Sequence, residues 1–161
     1  MSIENWRERL QDCGDPELAA ALVSSIEQLL EMAHYSLTVG ASERNIAAKL
    51  AMLIHAEGLV ARDDGCLWDV DVEYNRKGTR VKTVRGGLQV VIPDVILHRL
   101  GEDRNFLAIE LKMGSSDQVD WKDQLKLAAY RLPHELNYSH ALFLRLGQKR
   151  LAGTVSCVEW V

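Results

Sequence analysis

VIPDVILHRLGEDRNFLAIELKM, residues 91–113, holds two near-continuous apolar runs joined by a polar connection. Runs of this kind are expected of strands covered on both faces of a sheet. Yet the first carries Asp94, and the second carries Glu110 and Lys112. Charges in buried strands need partners or an ion, so these three residues pose the question of fold and function together.

Side chains two apart in a strand share a face. Asp94, Ile96 and His98 therefore form one row, and Phe106, Ala108, Glu110 and Lys112 another. If RLGEDRN, residues 99–105, turns symmetrically about Glu102, opposed residues have numbers summing to about 204, and Asp94 faces Glu110. Opposed β-carbons lie roughly 4.5–5.5 Å apart, where two carboxylates repel unless something positive stands between them. A divalent cation suits that gap. Lys112, roughly 6.5–7 Å further along the same face, can attend the same centre, and small Ala108 leaves room. His98 shares the face but is expected to be a hydrogen-bonded structural histidine.

Outward from this hairpin, VDVEYNR at 70–76 alternates, placing Val70, Val72 and Tyr74 on one face and Asp71, Glu73 and Asn75 on the other. On the C-terminal side, SSDQVDWKDQLKLAAYRLP at 115–133 reads as a helix. Ser115 or Ser116 would cap it, Trp121, Leu125, Ala128 and Leu132 would face inward, and Pro133 would follow its end. ALFLRLG and TVSCVEWV supply two last strands. Upstream, Asp15 and Pro16 open a helix with Leu18, Leu22, Ile26, Leu29 and Ala33 on one face, and Ser42 caps a second with Ile46, Leu50, Leu53 and Ile54 inward. Glu43 lies on that second stripe, in the first turn, where an acid also favours the helix dipole. The expected class is α/β or α+β, with a central mixed β-sheet flanked by helices and an extra N-terminal helical segment.

At 161 residues, 47% hydrophobic and 26% charged, the chain suits a single domain over 1–161, with 1–40 as the helical extension and 41–161 as the core. No apolar run approaches membrane-spanning length, and MSIENWRERL lacks the features of a signal peptide. Three widely spaced cysteines suit a reducing compartment, so a cytoplasmic protein without membrane partners is expected. The net charge is -4, yet no acid occurs between Glu73 and Asp94, an interval holding Arg76, Lys77, Arg80, Lys82 and Arg85. That interval is either a solvated edge hairpin protected by its charges or a phosphate-contacting arm.

Pro93-Asp94 followed by Glu110-Leu111-Lys112 resembles the signature of the PD-(D/E)xK nuclease superfamily, and the element order from Ser42 onward is similar to its restriction-endonuclease-like core. The resemblance implies a Mg²⁺-dependent nuclease, with Mn²⁺ able to substitute, hydrolysing phosphodiester bonds in nucleic acid, DNA before RNA. It implies Asp94, Glu110 and the Leu111 backbone carbonyl as metal ligands, with Glu43 reaching the metal through a water, and Lys112 with these acids as the catalytic set. In nucleases of the RecB type a Gln-xxx-Tyr pattern follows on the next helix. Here Lys126 stands four before Tyr130, leaving Gln124, Lys126 and Tyr130 as candidate nucleic-acid contacts beside the cationic interval. The alternative is a catalytically weak or inactive nucleic-acid-binding or partner-binding module on the same fold. A homodimer would suit the cutting of two strands.

Overall fold

The computed structural model describes residues 3–74, 76–77 and 80–161. Its helices α1 (Trp6–Gln11), α2 (Pro16–Met32), α3 (His34–Thr38) and α4 (Glu43–Ala56) come first. The expected caps are present. Asp15 accepts the Leu18 N–H at 3.2 Å with Pro16 opening α2, and Ser42 accepts the Asn45 N–H at 3.3 Å at the start of α4. The stripe from Leu18 to Ala33 is buried and shares one cluster with Ile46, Leu50 and Ile54.

After the helices, β1 (Asp69–Val72) leads into two short ribbons, β2 (Arg76–Lys77) with β3 (Arg80–Val81), and β4 (Thr83–Val84) with β5 (Gln89–Val90). Then follow β6 (Val95–His98), β7 (Asn105–Met113), α5 (Trp121–Arg131), β8 (His140–Leu146), a 3₁₀ turn and β9 (Val155–Trp160). The fold is α+β, built on a mixed five-stranded sheet in the order β1-β6-β7-β8-β9. Only β7 and β8 run parallel, with α5 as their crossover.

The two faces of the sheet carry separate cores. Val95, Leu97, Leu107, Ile109 and Leu111 join the cluster under α1 to α4, whereas Ile96, Ala108 and Phe143 pack with Leu127 and Tyr130 of α5. The first forty residues are part of this packing: Trp160 Nε1 donates to the Arg9 carbonyl at 3.0 Å, and the Ile3 N–H donates to that of Val155 at 3.0 Å. Among the described residues no helix is long and apolar enough to cross a membrane.

The expected register is present where it matters. Val95 opposes Ile109, Ile96 opposes Ala108 and Leu97 opposes Leu107, each pair summing to 204. A bulge then shifts His98 onto Asn105. Phe106 leaves the expected site row and stacks on Trp68 at the helix-side core, centroids 4.9 Å apart.

Helix α5 differs from expectation at its start and in its inward face. Asp120, not Ser115 or Ser116, is the cap, accepting the Lys122 N–H at 2.8 Å. Leu127 and Tyr130 are the buried residues, while Trp121 is 62% and Leu125 50% exposed, and Ala128 and Leu132 also face solvent. The physical reason is a polar one: turning Tyr130 and Lys126 toward the sheet gives the buried Glu110 its partners.

Because α2 shares its core with the sheet, Leu22→Ala should destabilise the whole molecule by about 2–5 kcal/mol in a single cooperative transition. Denaturant titration followed by far-UV and tryptophan signals checks this. Separate transitions for helices and sheet would contradict it.

Candidate active site

Glu110 lies on the central strand β7, between β6 and β8, and is 1% exposed. Its Oε2 accepts from Lys126 Nζ at 2.6 Å, and its Oε1 accepts from the Tyr130 hydroxyl at 2.9 Å. Lys126 and Tyr130 are four apart on α5 and therefore meet the same strand residue from one helix face. Burial pushes the Glu110 carboxyl above its usual range, Lys126 pulls it back, and the charge of Asp94 pushes it further up. Tyr130 is held well above an ordinary phenol by burial and then by Glu110, so it remains a hydrogen-bond donor.

Asp94 stands immediately before β6, half-buried, with Oδ2 accepting the Leu111 N–H at 2.7 Å. Burial raises its pKa, opposed by that N–H, by Lys112 and by Lys126, while Glu43 raises it. Val95 and Ile109 form the last registered pair of β6 and β7, so beyond it the backbone of Leu111 is free to serve a side chain. The N–H and C=O of a strand residue point to the same side, which also aims the Leu111 carbonyl toward Asp94.

Glu43 is the first residue of α4, close to where β7 ends. Its Oε2 accepts the Met113 N–H at 3.1 Å, and its Oε1 lies 3.8 Å from Lys112 Nζ. The acid therefore sits both in a first helical turn and beside Lys112. The fold gathers Glu43, Asp94, Glu110 and Lys112 at one end of the sheet.

Whether these groups suit a metal depends on their remaining lone pairs. Among the described residues no three His, Cys, Asp or Glu side chains are spaced to hold an ion. Mg²⁺, however, is commonly held by one or two carboxylates, with water and substrate oxygens completing its octahedron. Asp94 Oδ1 carries no hydrogen bond among the described residues, and each Glu110 oxygen, having accepted one, retains a lone pair. Two carboxylates held above their usual range and an aligned carbonyl form an all-oxygen donor set that fits such a hard cation.

The other candidate residues are distributed differently. Tyr130 is fully buried and Lys126 is engaged with Glu110, so both position a carboxylate rather than extend toward a ligand. Gln124 donates to Glu159 at 2.9 Å on another flank of α5. Lys82 is 1% exposed, with its ammonium donating to the Tyr138 hydroxyl at 2.6 Å and lying 5.1 Å from the centroid of the Tyr74 ring. Burial pulls its pKa down to about 8, and it offers nothing to a phosphate. Arg76 and Arg85 are exposed; the side chains of Lys77 and Arg80, and all of Asn75, lie outside the described residues. His98 is buried with Nε2 2.8 Å from Asp71, a structural histidine as expected.

No family model, no curated protein and no solved structure matches this chain.

A carboxyl whose pKa is raised on folding contributes stability while protonated, and that contribution is lost as pH rises through the folded-state pKa. Ionised Asp94 therefore weakens the metal-free fold at neutral pH, while an amide oxygen can still accept the Leu111 N–H. Asp94→Asn should melt a few degrees above wild type at pH 7 in a chelating buffer. The gap should close as pH falls below the ordinary carboxylate range of about 4. Thermal melts across that range check it, and a lower melting temperature for the variant at pH 7 would contradict it.

Proposed function

We propose that the chain is a metal-dependent nuclease of the PD-(D/E)xK type, hydrolysing phosphodiester bonds, DNA before RNA, on a restriction-endonuclease-like core. The observation that carries this reading is the register of β6 and β7. It brings Asp94 to the backbone of Leu111, beside Glu110, with Lys112 two residues on. The order of α4, the antiparallel β1-β6-β7, α5 and a β8 parallel to β7 supports it. A cytoplasmic setting and a homodimer belong to the same reading.

Asp94, Glu110 and the Leu111 carbonyl would hold Mg²⁺ or Mn²⁺. When bound there, such an ion supplies Lewis-acid polarisation of the phosphate and a lowered pKa for water. The protein's own groups do the rest. Lys112 orients the attacking water and stabilises negative charge developing on the phosphate oxygens. Glu43 restrains the Lys112 ammonium from 3.8 Å and fixes the end of β7 through Met113. Lys126 and Tyr130 keep the Glu110 carboxylate in one orientation, which limits reorganisation during the reaction.

One observation favours the alternative of a non-cleaving nucleic-acid-binding module. Both oxygens of Glu110 already have partners within the chain, and among the described residues no third acid completes a metal cluster.

Single-stranded, duplex, branched and RNA substrates incubated with Mg²⁺ or Mn²⁺ distinguish the two. Wild type should cleave at least one of them only with metal, and Lys112→Ala should lose roughly 10²–10³-fold or more in rate at an unchanged melting temperature. An inert wild type, or a fully active Lys112→Ala, would exclude the nuclease.

A further inference from the structure

Beside Glu110, the β4–β5 ribbon and α5 enclose a cleft of about 290 Å³. Its charged lining is Arg85, Lys122 and Asp123, with Lys126 already ion-paired to Glu110 at 2.6 Å. Its apolar lining is Val84, Trp121, Leu125 and Ala129, of which Trp121 and Leu125 are largely exposed although they belong to a helix that packs on the sheet. The Lys122 ammonium lies 5.6 Å from the centroid of the Trp121 ring. Lys126 is common to the cleft and to the Glu110 carboxylate, so cleft and site adjoin through one side chain.

An exposed aromatic ring flanked by cations matches a ligand that joins a flat aromatic group to a phosphate. The volume is at the lower end of small-ligand pockets, suited to one nucleotide and too small for a base pair. A base can enter such a cleft only when it is out of the duplex stack.

We infer that this cleft receives one unpaired nucleotide of the substrate, its base against Trp121 and its phosphate between Arg85 and Lys122. The inference rests on the nuclease reading of the adjoining site and narrows its substrate to strands that are single, frayed or flapped where they are cut. Arg85 is held at a φ of 57°, the only described cation of the interval from Arg76 to Arg85 that lines the cleft.

The test is binding of fluorescein-labelled oligo(dT) and of a blunt hairpin duplex, by anisotropy in a chelating buffer. Wild type should bind the single strand more tightly than the duplex. Trp121→Ala should weaken single-strand binding roughly tenfold or more without lowering the melting temperature or changing duplex binding, and Arg85→Ala should weaken it with a shallower salt dependence. Unchanged single-strand affinity in Trp121→Ala, equal losses on both substrates, or no single-strand binding by wild type would each overturn the inference. If Lys112 and metal are needed for cleavage while binding ignores Trp121, the cleft alone fails. If Trp121 governs binding but nothing is cleaved, the nuclease reading fails and the cleft stands.

Discussion

Glu110 is a carboxylate in the middle strand of a sheet covered on both faces, and it is kept there by the Lys126 ammonium and the Tyr130 hydroxyl, one on each oxygen. Burying an ion costs several kcal/mol, offset only when partners satisfy its lone pairs with good geometry. That requirement fixes the rotation of α5. The helix could have buried Trp121, Leu125, Ala128 and Leu132, a longer apolar stripe than the Leu127 and Tyr130 it does bury. Satisfying Glu110 outweighs burying them, and two residues of the displaced stripe, Trp121 and Leu125, line the neighbouring cleft.

The same end of the sheet holds a second cost that its partners do not remove. The charge of Asp94 raises the Glu110 carboxyl, that of Glu43 raises Asp94, and burial acts on both in the same direction. Lys112 and Lys126 oppose this from the two sides, Lys112 being itself restrained by Glu43. A fold selected for stability alone would place neutral residues at these positions. Folded proteins break local rules of this kind mainly at functional or strained sites. The buried Lys82 is a contrasting case, a charge enclosed by Tyr74 and Tyr138, its pKa lowered by burial and raised in part by Asp71.

What the sequence made legible was whatever short-range periodicity controls. The caps of α2 and α4 and their buried stripes followed from spacing, and the turn centred on Glu102 gave the pairing that sets Asp94 near Glu110. Periodicity did not reveal the face of α5. The helix is pulled by a polar partner sixteen or more residues away in chain order rather than by its own apolar pattern, as Lys126 and Glu110 show. The Lys126 and Tyr130 spacing, read beside an acid on the preceding strand, was the available signal. Lys82 was illegible for a related reason, because its burial depends on Tyr138, which lies 56 residues away.

The central claim is that Asp94 and Glu110 form a carboxylate pair fitted to a divalent cation. Calorimetric titration of metal-free protein with Mn²⁺, in two buffers of different ionisation enthalpy, tests it most directly. Wild type should bind at one site, with proton release that grows as pH falls toward the raised carboxyl pKa values, and Glu110→Gln should not bind. Absence of Mn²⁺ binding to wild type, or equal binding by Glu110→Gln, would contradict it.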